Sequence, residues 1–111
     1  MIDRSRLTAL LVEEERRFEE AHPRSRALYD RARQHLPGGV PMHWMVRWAG
    51  PYPVFIEQGK GAHFTCVDGH RYVDFCLGDT GAMTGHAPEA TVRAVTEQAQ
   101  RGFTFTLTNE N

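Results

Sequence analysis

Lys60 is the only lysine in the 111 residues; the other twelve basic side chains are arginine. A reaction that forms an imine on a lysine amine has one candidate in this chain. Lys60 lies between Gly59 and Gly61, a spacing that predicts a tight turn with the ammonium charged and solvated rather than nucleophilic. His43, His63 and His70 form no metal-ligand spacing with Cys66 and Cys76, so no metal is expected. A two-residue Asp68-Gly69 turn sets Phe64 opposite Val73 and His63 opposite Asp74, the latter a cross-strand polar pair. The same register points Cys66 and Cys76 to opposite faces of the sheet, which argues against a disulfide. Gly78, Gly81 and Gly85 space a loop through backbone conformations that favour glycine, and His86 fixes the corner before the next helix.

These residues need elements to hold them. Leu7, Leu10, Leu11 and Phe18 recur on one face of a helical period. Glu13 with Arg17 and Arg16 with Glu20 are four apart and pair across its solvent face. His22-Pro23 breaks that helix. A second starts at Pro23 or Ser25, with Leu28, Ala32, His35 and Leu36 as its apolar stripe, and Pro37-Gly38-Gly39 ends it. Residues 40–53 hold three prolines, both tryptophans and two methionines, and read as an irregular apolar arm. Three strands follow: Val54–Glu57, Ala62–Val67 after a Gln58-Gly59-Lys60-Gly61 turn, and Arg71–Leu77. A third helix is expected over Pro88–Arg101 with Val92, Val95 and Ala99 as its stripe, and then an extended segment over Phe103–Thr108.

Composition excludes several classes. Hydrophobic residues make up 41% and charged residues 24%, which excludes a disordered chain. The net charge of -1 leaves no basic excess for neutralising phosphates, so nucleic acid is not an expected partner. Eight of the thirteen basic and seven of the fourteen acidic side chains fall in residues 1–36 with their signs interleaved, as on a solvated helix face. No apolar run approaches the roughly 20 residues of a membrane span or forms a signal peptide. With only two cysteines, the reading is a cytoplasmic chain.

Five pieces then occur in order: Ser25-Arg26-Ala27-Leu28-Tyr29, Leu36-Pro37-Gly38-Gly39-Val40, Gly59-Lys60-Gly61-Ala62, Asp68-Gly69-His70-Arg71-Tyr72-Val73-Asp74 and Gly85-His86-Ala87-Pro88. From about Pro23 onward the chain resembles the N-terminal segment of class III aminotransferases, fold-type-I pyridoxal-phosphate enzymes, and most of all the glutamate-1-semialdehyde aminomutases and β-amino-acid transaminases. The resemblance implies an α/β fold: N-terminal helices (1–36), an irregular substrate-mouth arm (37–53), then a β-meander, a glycine loop and the start of the large cofactor domain (54–111). It also implies that this is an N-terminal portion, that the cofactor lysine lies outside the chain, and that the segment alone is inactive, with no catalytic residue of its own.

The resemblance further implies substrate-binding residues. Val46-Arg47 looks like a family pair at the substrate mouth whose arginine clamps a carboxylate, and a guanidinium presents a planar fork matched to that group. The stretch is about two residues longer here than in the family. Trp44, Met45 and Trp48 would wall the contact from water. Asp79 falls where the family often places an aromatic residue lining the pocket, with Thr80 its neighbour. An acid there favours a substrate amine or hydroxyl and disfavours a second carboxylate; alternatively, Asp79 caps the loop. Thr106–Asn109 aligns with a stretch that nears the cofactor of a dimer partner. The expected cofactor is pyridoxal 5'-phosphate, the substrate an amino or keto acid, and the parent a homodimer without membrane contact. The rival reading is a non-catalytic binding module that uses the Trp/Met arm.

Overall fold

A computed structural model of the chain describes residues 3–47 and 49–108. Helix α1 spans Arg4–Ala21 and α2 spans Pro23–Ala32. Strands β1 (Ile56–Lys60), β2 (His63–Cys66) and β3 (Arg71–Val73) form one antiparallel sheet in that order, and α3 spans Glu89–Ala99. The chain divides into two units, Met1–Gln58 with Thr65–Arg71, and Gly59–Phe64 with Tyr72–Asn111.

In the first unit, Asp3 caps α1 by accepting the Arg6 N–H at 3.1 Å. The expected pairs form on its solvent face: Glu13 with Arg17 at 3.0 Å and Arg16 with Glu20. Arg16 also bonds Glu13 at 2.8 Å, and that hydrogen bond holds the Glu13 carboxyl down at about 2. The helix ends at Ala21 because His22 leaves helical geometry (φ -127°, ψ 48°) and Pro23 has no N–H to give. Pro23 then opens α2 at its first position.

Helix α2 stops at Ala32, four residues before the apolar stripe does. In the next turn Gln34 N–H bonds Arg31 C=O and His35 N–H bonds Ala32 C=O at three-residue spacing, Leu36 N–H closes it on Ala32 C=O at 2.8 Å, and Leu36 is left exposed ahead of Pro37. Of the two starts offered, Pro23 is the one used, and Ser25 is a fully buried residue inside α2. The arm is irregular as expected, with a short 3-10 turn at His43–Val46. It carries two of the unit's buried apolar residues, Val40 and Tyr52; Cys66 of β2 is a third. The Tyr52 ring lies 5.1 Å from Phe18 and 6.2 Å from Tyr29, and its hydroxyl donates to the His22 carbonyl at 3.2 Å.

The sheet register differs from the expected one by one residue. Cys66 N–H bonds the His70 carbonyl, Gly69 N–H bonds the Cys66 carbonyl, and Asp74 N–H bonds the Ala62 carbonyl. The β2–β3 loop is therefore three residues long, Val67–Gly69, and Gly69 forms its bulge at φ 88°. Phe64 stacks on Tyr72 at 5.1 Å rather than facing Val73, and Asp74 faces Ala62 rather than His63. Strand β1 starts two residues later than expected and runs through Gly59 and Lys60, so the turn falls at Gly61-Ala62. Strand β3 ends at Val73 because Asp74 bends the chain.

In the second unit, α3 begins one residue after Pro88, and Gly102 (φ 93°) follows its end. Its stripe residues Val92 and Val95 are exposed. No strand forms over residues 103–108; an extended segment needs a neighbouring strand to pair its backbone, and Phe103, Phe105 and Leu107 are exposed. Among the described residues no helix is long and apolar enough to cross a membrane.

Candidate functional site

The arm places Arg47 at the end of its 3-10 turn, where the Arg47 N–H donates to the Trp44 carbonyl at 3.2 Å and the side chain is exposed. Trp44 is also exposed, as are Met42 and Val46. Beside this turn lies a groove of about 400 Å³ lined by Pro37, Gly38, Val40, Pro41, His43 and Val46. It is apolar because two prolines, a glycine and two valines line it, and prolines leave no N–H to solvate. Of the other two wall residues, Met45 is half-buried and Trp48 lies outside the described residues, as does Asn109.

Asp79 and Thr80 belong to the second unit, so Arg47 and Trp44 are carried by one unit and Asp79 and Thr80 by the other. Both acid and hydroxyl are exposed, on a loop whose Leu77, Gly78, Asp79 and Thr80 all have positive φ (51°, 61°, 50° and 86°). Of the three glycines expected to shape the loop, Gly78 and Gly85 have positive φ. Asp79 Oδ1 accepts from the Cys76 thiol at 3.3 Å. The loop-capping role weighed for Asp79 is taken by Asp74, whose Oδ1 accepts the N–H groups of Cys76 and Leu77, each at 2.9 Å. Its Oδ2 lies 2.6 Å from His86 Nε2. The Leu77 and His86 hydrogen bonds hold the Asp74 carboxyl below its usual range.

Two residues stand out that sequence reasoning did not single out for these tasks. Asp74 was assigned to His63 on the shifted register. Asp68, read only as a turn residue, accepts the Arg24 N–H at 2.7 Å, the Ser25 N–H at 3.1 Å and the Ser25 hydroxyl at 2.6 Å. A signal existed: α2 opens His22-Pro23, with no side-chain cap of its own, so its first free N–H groups needed an acceptor from elsewhere.

Lys60 ends β1 with its side chain exposed and its Nζ donating to the Ala87 carbonyl at 2.9 Å. It borders an open groove of about 640 Å³ that is also lined by Glu89, Arg93 and Glu97. Lys60 and Arg93 are matched there by Glu89 and Glu97, so the lining holds no net positive charge for a phosphate, and the Lys60 ammonium is already bonded to the Ala87 carbonyl. The residues present therefore do not fit a lysine-anchored phosphate cofactor. Among the described residues no cluster of three His, Cys, Asp or Glu side chains forms a metal site.

This chain, with helices leading into a short antiparallel meander and then a glycine loop and helix, is homologous to a partial, N-terminal segment of class III pyridoxal-phosphate aminotransferases. It is similar to the glutamate-1-semialdehyde 2,1-aminomutase of Chloroflexus aurantiacus, 46% identical over 88 residues that make up 78% of this chain and 20% of the relative. It superposes on a glutamate-1-semialdehyde aminomutase from Pseudomonas aeruginosa PAO1 with a TM-score of 0.88 at 46% identity, covering 98% of this chain and 24% of that one. For a β-phenylalanine aminotransferase from Variovorax paradoxus the TM-score is 0.78 at 33% identity, over 89% of this chain and 23% of that one. No family model matches the chain. The chain spans about a fifth of the length of the curated relatives it matches.

Proposed function

We propose that this chain is the N-terminal portion of a pyridoxal-phosphate-dependent enzyme that moves an amino group on an amino or keto acid. One observation carries the reading: 98% of the chain superposes on the Pseudomonas aminomutase at 46% identity. A structure of that enzyme holds PMP, and a similar transaminase holds PLP. In the proposed enzyme the cofactor withdraws electrons from the carbon that bears the amino group, and the lysine that anchors it comes from outside these 111 residues.

The chain's own part is to bind and orient. Residues 37–53 act as the substrate-mouth arm: Arg47 takes the substrate carboxylate in a two-pronged hydrogen bond, and Trp44 with the neighbouring apolar groove keeps water from it. Asp79 and Thr80 meet the substrate's amine or hydroxyl. Residues 1–36 serve as the N-terminal helices, and 54–111 as the meander and the entry to the large domain. The parent enzyme works in the cytoplasm as a homodimer.

Two results test this. Replacing the matching segment of the Pseudomonas enzyme with residues 3–108 is expected to keep the cofactor absorbance and to keep kcat/KM within about tenfold of the parent, with Lys60→Ala changing it less than about twofold. A grafted protein that holds cofactor but shows no turnover, or borohydride trapping of the cofactor on Lys60, would contradict the reading. In the same protein Arg47→Lys is expected to raise KM for the carboxylate substrate by roughly tenfold with kcat nearly unchanged, because an ammonium cannot reproduce the fork. An unchanged KM removes Arg47 from the substrate mouth.

A further inference from the structure

The geometry points to Asp74 as the positioning residue of the substrate loop: one carboxylate that holds the start of the loop through Oδ1 and the corner at its end through Oδ2, and so presents Asp79 and Thr80. This rests on the reading of Asp79 and Thr80 as substrate contacts.

Four consecutive residues, Leu77 to Thr80, have positive φ, and three of them are not glycine. L side chains rarely adopt that backbone, so a run of this kind persists only where its surroundings impose it. The loop's own bonds are short-range turns: Asp79 N–H to Cys76 C=O, Gly81 N–H to Gly78 C=O and Ala82 N–H to Leu77 C=O. Asp74 adds what these lack. Its Oδ1 takes the N–H groups of Cys76 and Leu77 as the run begins, and its Oδ2 meets His86, twelve residues on. The Asp74 side chain is only 13% exposed, so little water competes for these bonds.

His86 is itself fixed. Its N–H and C=O both bond the backbone of Gly61, and its ring lies over Gly59, where an added Cβ would come within 2.9 Å of the ring. The loop is thereby tied at both ends to the β1–β2 hairpin and β3. Asp79 is turned further by the Cys76 thiol, whose own N–H is one of the two that Asp74 holds.

The test uses the intact holoenzyme with Asp74→Ala and Asp74→Asn. Asparagine keeps an oxygen for the two loop N–H groups and offers its amide N–H to His86 Nε2, which accepts in the other ring tautomer; alanine keeps neither bond. Asp74→Ala is expected to speed amide exchange at Cys76 and Leu77 by roughly tenfold or more, and to raise KM by about five- to tenfold with kcat within about twofold. Asp74→Asn is expected to restore both to within about twofold of the parent. Unchanged exchange in Asp74→Ala overturns the proposal, as does an Asp74→Asn no better than alanine, or a loss in kcat with KM unmoved. If exchange responds as expected but neither Asp74→Ala nor Asp79→Asn moves KM, the loop is braced but touches no substrate. That result removes Asp79 from the substrate mouth and overturns the presenting role with it.

Discussion

Replacing Asp68 with alanine is expected to cost about 3 kcal/mol of folding stability, from the loss of charge-assisted hydrogen bonds at a helix start. The carboxylate accepts two backbone N–H groups and one hydroxyl across more than forty residues of chain. Helix α2 has no other side-chain cap, so the Arg24 and Ser25 amides lose their acceptor. Ser25 is fully buried, and its hydroxyl oxygen also accepts the Phe55 N–H at 3.2 Å. The change thus loosens α2, the strand approach at Phe55 and the hairpin together. Urea unfolding should show the lower midpoint, with amide exchange at Arg24 and Ser25 rising before the rest. A loss below about 1 kcal/mol, the worth of one ordinary hydrogen bond, would mean that Asp68 does not hold the helix.

The same carboxylate sets a pH dependence. Partial burial pushes its carboxyl up, but the Ser25 hydroxyl and the Arg24 and Ser25 amides outweigh that and hold it below its ordinary value of 3.8. A carboxyl lowered on folding stabilises the fold above its ordinary value, and the contribution fades as acid carries the pH down through the lowered one. Acid titration should therefore release α2 in the parent protein, and Asp68→Ala should flatten that part of the curve.

Gly85→Ala is the second large effect, also expected at about 3 kcal/mol, from left-handed backbone and steric overlap acting together. Gly85 has φ 88°, which an L residue adopts at a penalty, and an added Cβ would lie 3.0–3.2 Å from the Cα, C and O of Gly61. Those neighbours are backbone and cannot rotate away. The next residue, His86, makes both backbone bonds to Gly61, at 2.9 and 2.8 Å, so relief by movement breaks that bridge and carries the His86 ring off Gly59. Thermal unfolding of the holoenzyme measures the loss, and a Tm within a degree or two of the parent would contradict the close approach. Gly61→Ala is the contrast: its Cβ meets open space, leaving only the φ penalty.

Much of the architecture was legible because local rules decide it. Pro23 after His22 separates two helices wherever the chain goes next, since proline offers no N–H to the preceding helix. The Glu13–Arg17 and Arg16–Glu20 pairs follow from spacing alone. Asp68-Gly69 announced a hairpin correctly, but not its loop length: a two-residue turn and a three-residue turn with a glycine bulge share the same dipeptide. That single residue moved Asp74 from His63 to His86, and with it the reading of the glycine loop. Helix α2 was overextended because the stripe through Leu36 continues past the point where the backbone tightens.

The sequence by itself determined the order of elements, the absence of a second lysine and the presence of an arginine in an apolar arm, because these depend on residue type and near-neighbour spacing. Only the tertiary structure decided that Asp68 caps a helix more than forty positions away and that Asp74 joins the loop to His86. Both acids act on backbone and side-chain groups brought near by folding. No periodicity in the chain encodes such a meeting; it exists only once the hairpin has set where each carboxylate points.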